Sequence, residues 1–209
     1  YTINEAEFLH ELKGRTAKII AAASLYHWNS SAVSETAALY PEMTVREIPI
    51  ELSGREVNAM LEHCYEKCLG QAEHIRNIKD IQKKEAFEVL IHGRIPVMQS
   101  TQCLKKTTGH CNKTSEEIWL EDKKGRKLPV TTHCRECYNL IWQDKPYDLI
   151  GEDLMGSIPY VTRHRFDLFH MSEKEIKEMK DRYLIWQENH FMCDLQKDDT
   201  EHHWNYGIE

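Results

Sequence analysis

VREIPIELSGREV, residues 45–57, is the step on which the architecture turns. Its first eight residues, Val45 to Leu52, are rich in β-branched and apolar side chains and read as a strand. Ser53 followed by Glu56 is a capping box, in which the serine accepts from a backbone amide three residues on and the glutamate reaches back. Val57, Met60, Leu61, Cys64 and Cys68 then recur at helical spacing and form one apolar stripe. A strand that runs straight into a capped amphipathic helix is a βα unit.

The same unit recurs on either side. Upstream, AKIIAAASLY (17–26) is an apolar run bounded by Gly14 and Asn29 and reads as a buried strand. Asn29 or Ser30 caps a small-residue helix that ends near Tyr40 and Pro41. At the start, Asn4 with Glu7 has the form of another capping box, ahead of Phe8, Leu9 and Leu12. Downstream, Ile75, Ile78 and Ile81 mark more helix before a third strand, FEVLIHG (87–93). Strand and helix alternating at this spacing predict an α/β fold of βα repeats around a parallel sheet. After Gly93 the texture changes to short extended pieces: RIPVMQS, a hairpin with its tip at residues 122–127, and NLIWQDKPYDLI cut in two by Pro146. IPYVTRHRFDL reads as a strand, and Ser172 with Glu175 caps a helix bearing Ile176, Met179, Tyr183 and Trp186. The expected division is a βα region over 1–93, then a β-rich, cysteine-containing region with a C-terminal helix and tail over 94–209.

Composition bounds the function. The 209 residues are 41% hydrophobic and 29% charged, a globular balance that excludes collagen-like and wholly disordered chains. No apolar run approaches the ~20 residues of a membrane helix, so no membrane role is expected. The chain opens on Tyr1 without a signal-peptide pattern, so it is expected to be part of a longer, cytoplasmic protein. The formal net charge of −7 argues against nucleic-acid binding by the chain as a whole. Charge is uneven, though: residues 103–137 hold eight Lys/Arg against five Asp/Glu, while 171–209 hold five against ten. The basic tip Lys123, Lys124, Arg126 and Lys127 is either a solvated hairpin or a contact for RNA.

Seven cysteines, an odd number, argue against a disulfide scaffold. Four of them, Cys103, Cys111, Cys134 and Cys137, follow the spacing Cys-x7-Cys-x22-Cys-x2-Cys. Thiolates are soft ligands, and four brought to one point suit zinc or an iron–sulfur cluster. The hairpin between Cys111 and Cys134 would return the chain to its start. His110 and His133 each precede a cysteine and could substitute as ligands. Cys64 and Cys68 continue a core stripe, and Cys193 carries no role. Five further residues fall at the carboxyl ends of expected strands, where βα folds meet their ligands: Tyr26, His27, Asn29, Glu51 and His92. They are candidates to hold a substrate, with helix capping or ordinary strand-end hydrogen bonding as the alternative. No HExxH, GxSxG, Walker or GxGxxG motif is present.

Four segments in order resemble one family: EVLIHGRIPVMQSTQC (88–103), HCRECYNLIWQDKPYDLI (133–150), RHRFDLFHMSEKEI (163–176) and TEHHWNYGIE (200–209). SLYHWNSSAV (24–33) and REIPIELSGREV (46–57) fit its strands as well. The family is the U-thirty-two peptidases, the collagenase-like proteases, and the chain resembles the C-terminal portion of a long member. The resemblance implies a partial TIM barrel completed by the remainder of the full-length protein. It also implies a 4Fe–4S cluster on Cys103, Cys111, Cys134 and Cys137, as in relatives that hydroxylate an RNA base or a quinone precursor without molecular oxygen. The older family label implies a peptidase, and a zinc-stapled binding module is a third reading. The chain departs from the family in its closing CxxC, in His202 for glycine and in Tyr206 for arginine, while His203 and Gly207 match.

Overall fold

A computed structural model describes residues 1–14, 18–71, 86–150 and 161–189. Ten strands and five helices lie within them: β1 (Thr2–Ile3), α1 (Glu7–Leu12), β2 (Ile19–Ala21), α2 (Ser30–Leu39), β3 (Met43–Glu47), α3 (Gly54–Gln71), β4 (Ala86–Gly93), β5 (Pro96–Ser100), α4 (Leu104–Thr107), β6 (Glu117–Glu121), β7 (Lys127–His133), β8 (Tyr138–Trp142), β9 (Tyr147–Asp148), β10 (Val161–Phe166) and α5 (Glu173–Asn189). The fold is mixed α/β, with two sheets and a C-terminal helix.

The first sheet has the order β1-β2-β3-β4-β10, and every pair along that path is parallel. β1 to β4 lie side by side in chain order, so each connection among them moves one place in the same direction, and β10 joins beyond β4. β3 pairs with β4 only as far as Glu88. Beyond that point β9 takes the vacated edge antiparallel, with His92 opposite Asp148. Chain from beyond residue 93 thus returns twice to this sheet, as β9 and as β10. Gly93 makes the return possible: a Cβ there would lie 2.6 Å from the Asp167 Cβ and 2.8 Å from its carbonyl oxygen.

The main core lies between this sheet and its helices. Val57, Met60, Leu61, Cys64 and Tyr65 of α3 pack with Phe87, Val89 and Ile91 of β4, and Met179 and Trp186 bring in α5. Two capping boxes set the helix starts. Glu56 Oε2 accepts from the Ser53 amide at 2.8 Å and its hydroxyl at 2.7 Å, and Glu175 Oε2 does the same for Ser172 at 2.7 and 2.6 Å. The Asn4–Glu7 box does not form. Residues 2–3 are instead a parallel edge strand on β2, α1 begins after Ala6 without a side-chain cap, and the Asn4 carbonyl accepts from the Ser24 hydroxyl. Among the described residues of the apolar run at 17–26, Ile19–Ala21 is strand and the chain then tightens into a 3₁₀ turn at Ala23–Leu25. The expected strand at 45–52 ends at Glu47, because Pro49 has no amide to continue a ladder.

The second sheet is antiparallel, in the order β5-β8-β7-β6. The tip expected at 122–127 is present, closed by Asp122, which accepts from the amides of Lys124 and Arg126. Pro146 cuts 139–150 more deeply than expected, since β8 belongs to the second sheet and β9 to the first. Pro129, Val130, Ile141 and Trp142 are the buried apolar residues of the second sheet. The segment after β10 docks on it: Phe169 packs 5.1 Å from the Trp142 ring, and His170 reaches Glu117 at 3.0 Å and Thr131 at 3.2 Å.

Candidate functional site

One end of the second sheet carries all four spaced cysteines. β5 ends at Ser100, which pairs with Asn139 at the start of β8, so the chain leaving β5 toward Cys103 begins beside the Cys134–Cys137 turn. Asn139, 1% exposed, ties the two together by donating to the carbonyls of Ser100 (3.3 Å) and Gln102 (2.8 Å). Cys103 caps the one-turn helix α4, its sulfur accepting from the Lys106 amide at 3.4 Å. Cys134 is joined to the loop after Cys111, with its amide donating to Ser115 Oγ and its thiol to the Thr114 carbonyl, both at 3.0 Å. Cys137 adopts the left-handed conformation (φ 59°) that closes the CxxC hairpin.

Lys105 sits in the middle of this end and is 4% exposed. Its ammonium pairs with Glu116, donates to Asn112 and reaches the Thr114 carbonyl at 2.8 Å. The hydrogen bond to Glu116 raises its pKa against the opposing cost of burial, and the charges of Glu116, Cys134 and Cys111 add to the rise. Two cysteines from different segments are therefore within electrostatic reach of one buried cation. The sulfurs themselves are turned aside: Cys134 toward Thr114 and Cys137 toward the Cys134 carbonyl at 3.6 Å. Among the described residues no three His, Cys, Asp or Glu side chains form a preassembled metal site. The donor set suits a thiolate-held group in kind, and the thiols must lose their protons to ligate. His110 is exposed, and His133 stacks on Tyr138 with ring centroids 4.3 Å apart.

The five strand-end candidates lie after β2 (Tyr26, His27, Asn29), after β3 (Glu51) and at the end of β4 (His92), which are neighbouring strands. Their side chains go separate ways. Asn29 caps α2, accepting from the Ala32 amide at 2.9 Å. His27 is buried, with Nε2 3.1 Å from the Thr36 hydroxyl. Burial first, and the charge of Arg46 second, lower its pKa to about 4, so its ring is neutral at neutral pH. Tyr26 is exposed, in a left-handed conformation, with its ring 6.1 Å from that of Trp28. Glu51 is half-buried in the turn before α3. His92 is buried against Asp148.

A group that sequence reasoning missed lies on the first sheet. Register places Glu47, Glu88 and Arg163 on one face of three adjacent strands, with Arg165 two residues further along. Arg165 pairs with Glu47 at 2.5 Å, and Arg163 lies 3.8 Å from Glu88. Glu47 also accepts from the Ala23 amide at 3.1 Å. Burial and the neighbouring Glu47 push the Glu88 carboxyl up, against the pull of both arginines. Parallel strands are ordinarily apolar on both faces, so the charges of Glu47 in β3, Glu88 in β4 and Arg163 and Arg165 in β10 were the available signal.

The chain matches no family model, no curated protein and no solved structure.

Proposed function

We propose that Cys103, Cys111, Cys134 and Cys137 hold a 4Fe–4S cluster and that the chain works within an iron–sulfur protein for oxygen-independent hydroxylation of an RNA base. The observation that carries this reading is the arrival of four cysteines from two separate segments at one end of the antiparallel sheet, tied by Asn139 and centred on Lys105. A cluster bound there supplies one-electron transfer, and ligation by four thiolates leaves no iron open for substrate. The protein's own residues would do the rest. The sequential parallel order of the first sheet supports a TIM-barrel-like unit, shared with the remainder of a longer protein. In such a unit ligands meet the carboxyl ends of the strands, where Tyr26, His27, Asn29, Glu51 and His92 lie.

RNA would be met at the hairpin tip, with Lys123, Lys124 and Lys127 free of the Asp122–Arg126 pair (2.7 Å) that braces the turn. Serine at each of the four cysteine positions in turn is expected to lower bound iron. Iron content indifferent to all four substitutions would overturn the proposal.

A second reading rests on one feature: a CxxC in a hairpin turn, with a backbone amide donating to the Cys103 sulfur, also suits tetrahedral zinc. Zinc in place of iron would make the second sheet a stapled binding module.

A further inference from the structure

Among the described residues β6 pairs with β7 alone and forms one edge of the second sheet. Its five residues meet β7 one for one. Glu117, Trp119 and Glu121 therefore share a face with Thr131, Pro129 and Lys127, their partners across the pair. The Trp119 indole is 60% exposed there. It is not a lone surface residue. The Glu117–Thr131 pair lies two residues, about 7 Å, along the strand, and His170 docks on that pair. Beside His170, the Phe169 ring rests on Trp142 and is itself 44% exposed. A groove of about 420 Å³ at the β6 edge is lined by Trp119, Leu120, Glu121 and Lys127.

Charge at this end is positive. Face and tip together hold Glu117, Glu121 and Asp122 against Lys123, Lys124, Arg126 and Lys127. Two of the three carboxylates are engaged, Asp122 by Arg126 at 2.7 Å and Glu117 by His170 at 3.0 Å. Asp144 further offsets Arg126. That leaves Glu121 against three exposed lysines.

We infer that this face is a stacking platform for single-stranded RNA, with an unpaired base lying on the Trp119 indole and its flanking phosphates meeting Lys123, Lys124 and Lys127. The inference rests on the RNA reading proposed above and adds a grip on the base, where lysines alone hold only phosphate. Every base has a π face, so an indole beside cations binds an unstacked strand with little regard to sequence. A duplex closes those faces, which favours single strands. An acidic protein segment would satisfy the lysines and leave the indole bare.

The test is the fluorescence anisotropy of a labelled, unstructured RNA of about ten nucleotides titrated with the full chain. Trp119→Leu keeps apolar bulk opposite Pro129 but removes the aromatic face, and is expected to weaken binding by about tenfold or more. Trp119→Gln, suited to an exposed position, should do the same, and Trp119→Phe should retain most of the affinity. Lys123→Gln combined with Lys124→Gln should weaken binding and flatten its logarithmic salt dependence by about 0.7 per lysine. RNA held by Trp119→Leu and Trp119→Gln as tightly as by the parent chain, yet released by the lysine variant, overturns the inference and leaves the tip as an RNA contact. Polyglutamate that depends on Trp119 as strongly as RNA does would also overturn it and assign the face to an acidic protein segment. RNA that fails to bind the parent chain removes both the platform and the RNA reading of the tip. None of these results depends on the metal content of the cysteine end.

Discussion

The two sheets are stabilised by opposite means. The parallel sheet rests on a continuous apolar core in which Val57, Leu61, Ile91, Leu149 and Ile150 are fully covered. The antiparallel sheet has four buried apolar residues, Pro129, Val130, Ile141 and Trp142, and its cysteine end is organised by Lys105, Asn139 and backbone turns. A core holds a shape through contact area, whereas a polar end needs specific partners and, on the present account, a bound group. The two halves should therefore fail under different insults.

Metal removal should separate them most sharply. Chelation, or Cys137→Ser, is expected to cost several kcal/mol confined to the second sheet, since metal affinity becomes folding energy where ligands are otherwise unconstrained. Hydrogen exchange should then show lost protection in β5–β8 with β2–β4 unchanged. Phe87→Ala should do the reverse. Phe87 is 2% exposed and packs edge-on against Tyr65 at 6.4 Å, so about 3–5 kcal/mol of stability should go, read by urea denaturation. Gly93→Ala drives a methyl into Asp167 and should cost about 1–3 kcal/mol at the seam where β9 and the segment after β10 return to β4.

Acid should also act on the parallel half. His27 in the folded chain has its pKa lowered to about 4, below the unfolded value of about 6.5. The unfolded state thus binds the proton first, and the stability held above pH 6.5 is lost as pH falls toward 4. Between pH 7 and pH 5 the loss should be about 2 kcal/mol, and His27→Gln should remove most of that dependence. Smallest is Ser53→Ala, which deletes one arm of the α3 capping box for about 1 kcal/mol.

These differences track what could be read from the amino-acid order. Local chemistry was legible. Ser53 with Glu56 and Ser172 with Glu175 form their capping boxes, Asn29 caps α2, and Asp122 closes the hairpin tip. Competing local interactions were not: Asn4 and Glu7 have the residues for a cap, but pairing of Thr2–Ile3 with β2 moves the helix start. Long-range returns were least legible, because nothing near Pro146 announces that Asp148 will lie against His92. The same holds for the sites. Spacing picked out four cysteines that the topology gathers at one end, but the direction of each sulfur depends on carbonyls contributed by other segments. The Glu47, Glu88, Arg163 and Arg165 group needed strand register to become visible.

The most direct measurement is anaerobic purification followed by metal analysis and a visible absorption spectrum. Brown protein with about four irons per chain, bleached by dithionite, is the expected result. Protein that carries zinc at about one per chain, or no metal at all, would contradict it.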